Sequence, residues 1–154
     1  FTLSYLPEGV ACQAKCKFCF SKSSISKERI KKINDFSDLD YWLDYAKRKG
    51  ANRFVITGGG EPGLFGYENI KIAIDKGRSH LGKVILITNG LFITKNDDEG
   101  MINQLIELKK VGLNILSLSM HHHSEKINTE IMGIKTDAHR LIDVASKYLF
   151  IKKF

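Results

Sequence analysis

Apolar and polar positions along this chain follow two rhythms. Short, nearly continuous apolar runs end at glycines or polar residues, and longer stretches repeat apolar positions every three or four residues. Phe54-Val55-Ile56, within Arg53 to Thr57, and Val84-Ile85-Leu86-Ile87-Thr88 predict two buried strands. Phe1 to Tyr5 alternates weakly and predicts a first strand, and Asn114 to Met120 predicts a fourth. Leu39, Trp42, Leu43 and Ala46 predict a helix with Ser37 as its N-cap, an acidic first turn and a stop at Gly50. Ile70, Ala73 and Ile74 predict a second helix, from about Tyr67 to Arg78. Met101, Ile102, Leu105, Ile106 and Leu108 mark a third, from about Glu99 to Val111, stopped by Gly112. Ala138 to Tyr148 is a last amphipathic helix, and Leu149 to Phe154 reads as the start of a fifth strand.

This order makes the chain α/β, with at least four βα units on a parallel sheet. Near-continuous apolar strands fit a sheet covered on both faces. In such folds ligands bind beyond the carboxyl ends of the strands. The polar motifs of the chain fall there. A cysteine loop follows the first strand, Thr57-Gly58-Gly59-Gly60-Glu61-Pro62 the second, Thr88-Asn89-Gly90 the third, and His121-His122-His123 the fourth.

Length and composition add limits. A chain of 154 residues, 43% of them apolar, is enough for one domain with its own core. Apolar runs stop well short of the ~18 residues of a membrane span, so no membrane association is expected. The first residue is Phe1, without a signal-peptide pattern, and the chain reads as part of a longer one. The formal charge of +7 favours an anionic partner or reflects a solvated basic face. Lys15, Lys17, Lys22, Lys27, Arg29, Lys31 and Lys32 lie in or just after the cysteine loop, where they would form a basic rim. Ser21 to Asn34, which carries most of them, predicts a loop or a short exposed helix.

All three cysteines lie in Cys12-Gln-Ala-Lys-Cys16-Lys-Phe-Cys19. A disulfide framework fails on the odd count and close spacing. Three thiolates on one loop fit a zinc site completed by one of the three histidines, or an iron–sulfur cluster. A cubane normally takes four thiolates, so three would leave one iron open to an exchangeable small molecule. Thiols destined for iron imply a reducing compartment and a cytoplasmic location. The glycine run lacks the Lys-Ser/Thr of a phosphate loop. It is either an ordinary strand-to-helix turn or a close approach of backbone to a ligand. The histidine run is solvated or lends an imidazole to acid–base chemistry.

The C-x3-C-x2-C spacing, with Phe18 before the last cysteine, resembles the cluster loop of the radical S-adenosylmethionine (radical SAM) superfamily. Gly59-Gly60-Glu61-Pro62, about forty residues on, resembles that family's Gly-Gly-Glu-Pro segment, although Gly58 stands where relatives often carry Ser or Thr. The resemblance runs from Cys12 to roughly Tyr148 and implies a partial parallel (β/α)6 barrel. Residues 1–154 would then be the N-terminal part of a radical SAM core. It further implies that Cys12, Cys16 and Cys19 hold a [4Fe–4S] cluster whose open iron chelates SAM. Phe18, Gly59, Gly60, Glu61, Asn89 and Ser119 would line the cofactor, and no residue acting on substrate is assigned. The implied activity is reductive cleavage of SAM to a 5′-deoxyadenosyl radical that abstracts hydrogen from an RNA, nucleotide or peptide. A flavodoxin or ferredoxin would supply the electron. An activase of glycyl-radical enzymes and a non-catalytic iron–sulfur or zinc module are the alternatives.

Overall fold

In a computed structural model that describes residues 1–7, 11–19 and 36–151, four strands form one parallel sheet in sequence order. The strands are β1 (Thr2–Tyr5), β2 (Arg53–Ile56), β3 (Val84–Thr88) and β4 (Ile115–Leu118). Their register places Leu3 beside Phe54, Val84 beside Phe54, Ile56 beside Leu86 and Leu86 beside Leu116. Between β1 and β2 comes α1 (Ser37–Arg48). A 3-10 turn (Pro62–Phe65) and α2 (Tyr67–Leu81) separate β2 from β3. The one-turn α3 (Leu91–Thr94) and then α4 (Asp98–Lys110) lead to β4, which α5 (Glu125–Met132) and α6 (Ala138–Ile151) follow. No described helix is long and apolar enough to cross a membrane.

Side chains of a strand alternate between faces, and here the two faces differ. Phe54, Ile56, Val84 and Leu86 point under the helices and are fully buried with Leu43, Ile70, Ile74, Ile93, Met101 and Leu108. The other face carries Ser4, Val55, Ile85, Ile87, Ile115 and Ser117. On that face Ile87 keeps 37% of its surface exposed and Ile115 41%. Helices therefore cover one face of the described sheet, not both. Each fully buried aliphatic or aromatic side chain contributes about 1.5–3 kcal/mol, so this one-sided core is what holds the sheet. The sheet is open, with β1 and β4 as its described edges. Beside β4, an apolar cleft of about 480 Å³ opens between α4 and α6, lined by Leu105, Leu116, Leu118 and Leu141.

Three local expectations change. Phe36, not Ser37, holds the N-cap position of α1, and Ser37 is already helical. Two helices unforeseen in the sequence, α3 and α5, follow β3 and β4. The fifth strand expected from Leu149 is absent as far as Ile151, because α6 continues through these residues. No glycine or proline interrupts the sequence after Ala138, so nothing local stops that helix. The expected loop or helix at Ser21 to Asn34, with its five basic residues, lies outside the described residues.

Candidate active site

The site is assembled where the four strand ends meet the cysteine loop. After β1 and Pro7, residues Ala11 to Cys19 pass over the loop that follows β2. Glu61 donates its backbone N–H to the Ala11 carbonyl at 2.8 Å. The approach is so close that a β-carbon on Gly60 would stand 2.2 Å from the Ala11 carbonyl oxygen. Gly60 is thus required by contact with the cysteine loop itself. Gly58 answers to the same turn, since a β-carbon there would lie 2.1 Å from the Gly60 carbonyl oxygen. Gly59, half-buried, lies between the two.

Glu61 is only 4% exposed, and a buried carboxylate needs donors around it. It accepts from the Gly63 N–H through Oε1 at 2.8 Å, from the Thr88 hydroxyl through the same oxygen, and from the Asn89 N–H through Oε2 at 2.8 Å. Thr88 Oγ1 in turn accepts from the Gly90 N–H at 3.0 Å. Asn89 Oδ1 accepts from the Leu91 N–H at 2.9 Å, an Asx turn that leads into α3, whose N-cap is Gly90. The Ser119 N–H donates to the Thr88 carbonyl at 2.8 Å, which ties the end of β4 to the end of β3. The side chain of Glu61 therefore holds the loop after β3 in place, and its backbone holds the cysteine loop.

On its other side the cysteine loop rests on the elements that follow β4. The Lys15 N–H donates to the Met132 carbonyl at 2.8 Å, and the Cys16 thiol lies 3.8 Å from that same oxygen. The Cys19 N–H donates to the Cys16 carbonyl at 3.2 Å, closing the turn between these two ligand candidates. The Phe18 ring meets the His121 ring edge-on, with centroids 4.5 Å apart. The His121 N–H donates to the buried Asn128 Oδ1 at 2.8 Å. The Ser124 N–H donates to His122 Nδ1 at 2.9 Å, which leaves the proton of a neutral His122 on Nε2. His122 and His123 stack with centroids 4.3 Å apart. Ala11, Asn128 and Met132 were not singled out from the sequence, and Thr88 only as part of the Thr88-Asn89-Gly90 motif. Their roles are backbone contacts or pairings across long separations, which no local pattern marks.

Cys12 is exposed at its surface, and Cys16 and Cys19 are half-buried. The Cys12 thiol is nevertheless pushed up from its ordinary pKa, chiefly because neighbouring loop atoms partly desolvate its sulfur. The Ala14 backbone opposes that shift, whereas negative charge on Glu61, Cys16 or Cys19 adds to it. Cys12 thus lies close enough to Cys16 and Cys19 to feel charge on either. Among the described residues no group of three or more His, Cys, Asp or Glu side chains is gathered around one point. By the chemistry of the donors, three thiols on one short loop fit a cubane, with one iron left for an exchangeable ligand. Among the described residues, four buried side-chain polar atoms have no hydrogen-bond partner, and two of them, Asn89 Nδ2 and Gln13 Oε1, belong to this site, the others being Thr136 Oγ1 and His139 Nδ1. A ligand carrying both acceptors and donors would satisfy the two in this site.

The sequence profile of the radical SAM superfamily matches residues 8–149. This chain belongs to the radical SAM superfamily. Enzymes of this superfamily use a [4Fe–4S] cluster and SAM, and the cysteine loop described above is where this radical SAM chain offers thiolates. A solved structure described as native anSMEcpe with bound AdoMet has a similar fold, at a TM-score of 0.61 and 23% identity. The match covers 96% of this chain and 41% of that one, so this radical SAM chain spans about two fifths of that structure's length. No protein of curated function matches it in sequence.

Proposed function

We propose that this chain, as a radical SAM core domain over residues 1–154, cleaves SAM reductively and abstracts hydrogen from an anionic or macromolecular substrate. An RNA, a nucleotide or a peptide would fit that description. When bound, the cluster and SAM supply one-electron cleavage to methionine and a 5′-deoxyadenosyl radical. The observation that carries this reading is the bond from the Glu61 N–H to the Ala11 carbonyl. It joins the thiol-bearing loop to the Gly-Gly-Glu-Pro segment, so that a ligand on the cluster's open iron would lie against both.

The residues of the chain then divide the work. Cys12, Cys16 and Cys19 hold the cluster, and Phe18 shields its edge. Gly59 and Gly60 let backbone come close to the methionine end of SAM, and Glu61 keeps the neighbouring loop in register. Asn89 Nδ2 is a donor for the SAM carboxylate, Gln13 Oε1 an acceptor for its ammonium, and Ser119 adds a hydroxyl at the end of β4. A reduced flavodoxin or ferredoxin in the cytoplasm would deliver the electron. The exposed Lys15 and Lys17 on the cysteine loop support an anionic substrate by raising its local concentration.

Substrate class is tested by titrating salt against binding of a single-stranded RNA, a mononucleotide and a peptide. Affinity for the true class should fall steeply as salt rises, and Lys15→Glu with Lys17→Glu should lower it further. Binding that ignores both salt and charge reversal would exclude an anionic substrate.

A further inference from the structure

The three cysteines are carried by two different supports. Ala11, next to Cys12, is bonded to the loop after β2 through Glu61 and pressed against Gly60. Lys15 to Cys19 instead rest on the unit that follows β4. Gly133, just past the C-terminal end of α5, has φ 64, and a β-carbon there would lie 2.9 Å from Lys15 Cβ and 3.3 Å from the Lys15 carbonyl oxygen. The Met132 carbonyl receives the Lys15 N–H. Asn128, 3% exposed, accepts from the His121 N–H through Oδ1, which fixes the residue against which Phe18 rests. Asn128 Nδ2 is directed at Met132 Sδ, 3.6 Å away, so one buried side chain serves both contacts.

We propose that α5 is a docking platform for the Cys16–Cys19 half of the loop, with Gly133 and Asn128 as its positioning residues. This rests on the reading of the cysteines as cluster ligands. A cluster held by Cys12, Cys16 and Cys19 would staple the end of β2 to α5, so cluster loading would stiffen a helix that supplies no ligand. Glycine at 133 serves the dock as well as the left-handed cap. Gly82 provides the comparison, because it has the same role at the end of α2, at φ 76, with nothing within 4 Å of a β-carbon.

Two measurements decide this. In the full-length apo protein with Cys12 and Cys19 changed to Ser, alkylation of Cys16 reports how firmly the loop is docked. Gly133→Asn, which tolerates the left-handed backbone but still intrudes on Lys15, should speed alkylation by roughly tenfold through local opening. Gly82→Asn should leave it within about twofold, since that site is open. Equal rates in the two variants would overturn the platform. The second measurement needs no substitution at the dock. Hydrogen exchange of amides 125–133 should slow when the unmodified protein is reconstituted with iron and sulfide. Iron uptake with unchanged exchange would overturn the platform and leave the cluster assignment standing. Failure to take up iron would defeat the cluster assignment, and the alkylation rates would still decide the dock.

Discussion

The Thr88 hydroxyl donates to the buried Glu61 carboxylate, so the ends of β2 and β3 are locked by one side-chain pair. Glu61→Ala would leave the Thr88 hydroxyl and the Gly63 and Asn89 N–H groups without their acceptor. We expect a loss of roughly 2–4 kcal/mol in folding stability, seen as a lower chemical-denaturation midpoint. SAM affinity should fall with it, because Asn89 and the loop after β2 lose their common anchor. Thr88→Val, close in shape, should cost less, about 1–2 kcal/mol, yet weaken SAM binding in the same direction. Unchanged stability in Glu61→Ala would show that this carboxylate serves a ligand and not the loops.

Gly60 makes a sharper case. A β-carbon would collide with Ala11 backbone, which cannot rotate away as a side chain can. Gly60→Ala should therefore shift the start of the cysteine loop and lower iron content after anaerobic reconstitution, with far-UV circular dichroism nearly unchanged. Normal iron content in that variant would contradict the tight packing of the two loops.

The raised pKa of Cys12 sets the direction of a pH effect. Cluster ligation needs the thiolate, so reconstitution at a fixed short time should improve from about pH 7 to about pH 9. Stability of the apo protein should move the other way. The folded state binds the Cys12 proton more tightly than the unfolded chain does. That contribution is present below the ordinary thiol pKa and fades as pH rises through the raised one. Iron uptake and apo stability that rise together over this range would refute the assigned shift.

Much of the sheet was legible because its two central strands are nearly continuous apolar runs. Val84 to Thr88 is both the predicted and the observed β3. The helices α3 and α5 were not legible, for reasons of length. Four residues in α3 cannot display a helical period, and α5 has only eight, between a polar histidine run and Gly133. The placement of Cys12, Cys16 and Cys19 on a loop past β1 could be read from spacing. That Gly60 faces Ala11, and that the Glu61 carboxylate turns to Thr88 and Asn89, could not. Both depend on how the strand ends approach in space, and the sequence marks only that a glycine and an acid are present. The hub at Asn128 escaped for the same cause, since a buried asparagine in a short helix looks like any polar surface residue until its partners His121 and Met132 are placed.

The central claim is that Cys12, Cys16 and Cys19 together hold a cluster that enables reductive cleavage of SAM. The most direct measurement is 5′-deoxyadenosine, quantified by chromatography after anaerobic reconstitution with iron and sulfide and incubation with SAM and a strong reductant. The unmodified protein should be brown and should form 5′-deoxyadenosine, and Cys16→Ala should be colourless and form none. Retained 5′-deoxyadenosine formation in Cys16→Ala, or none from a fully loaded unmodified protein, would contradict the account.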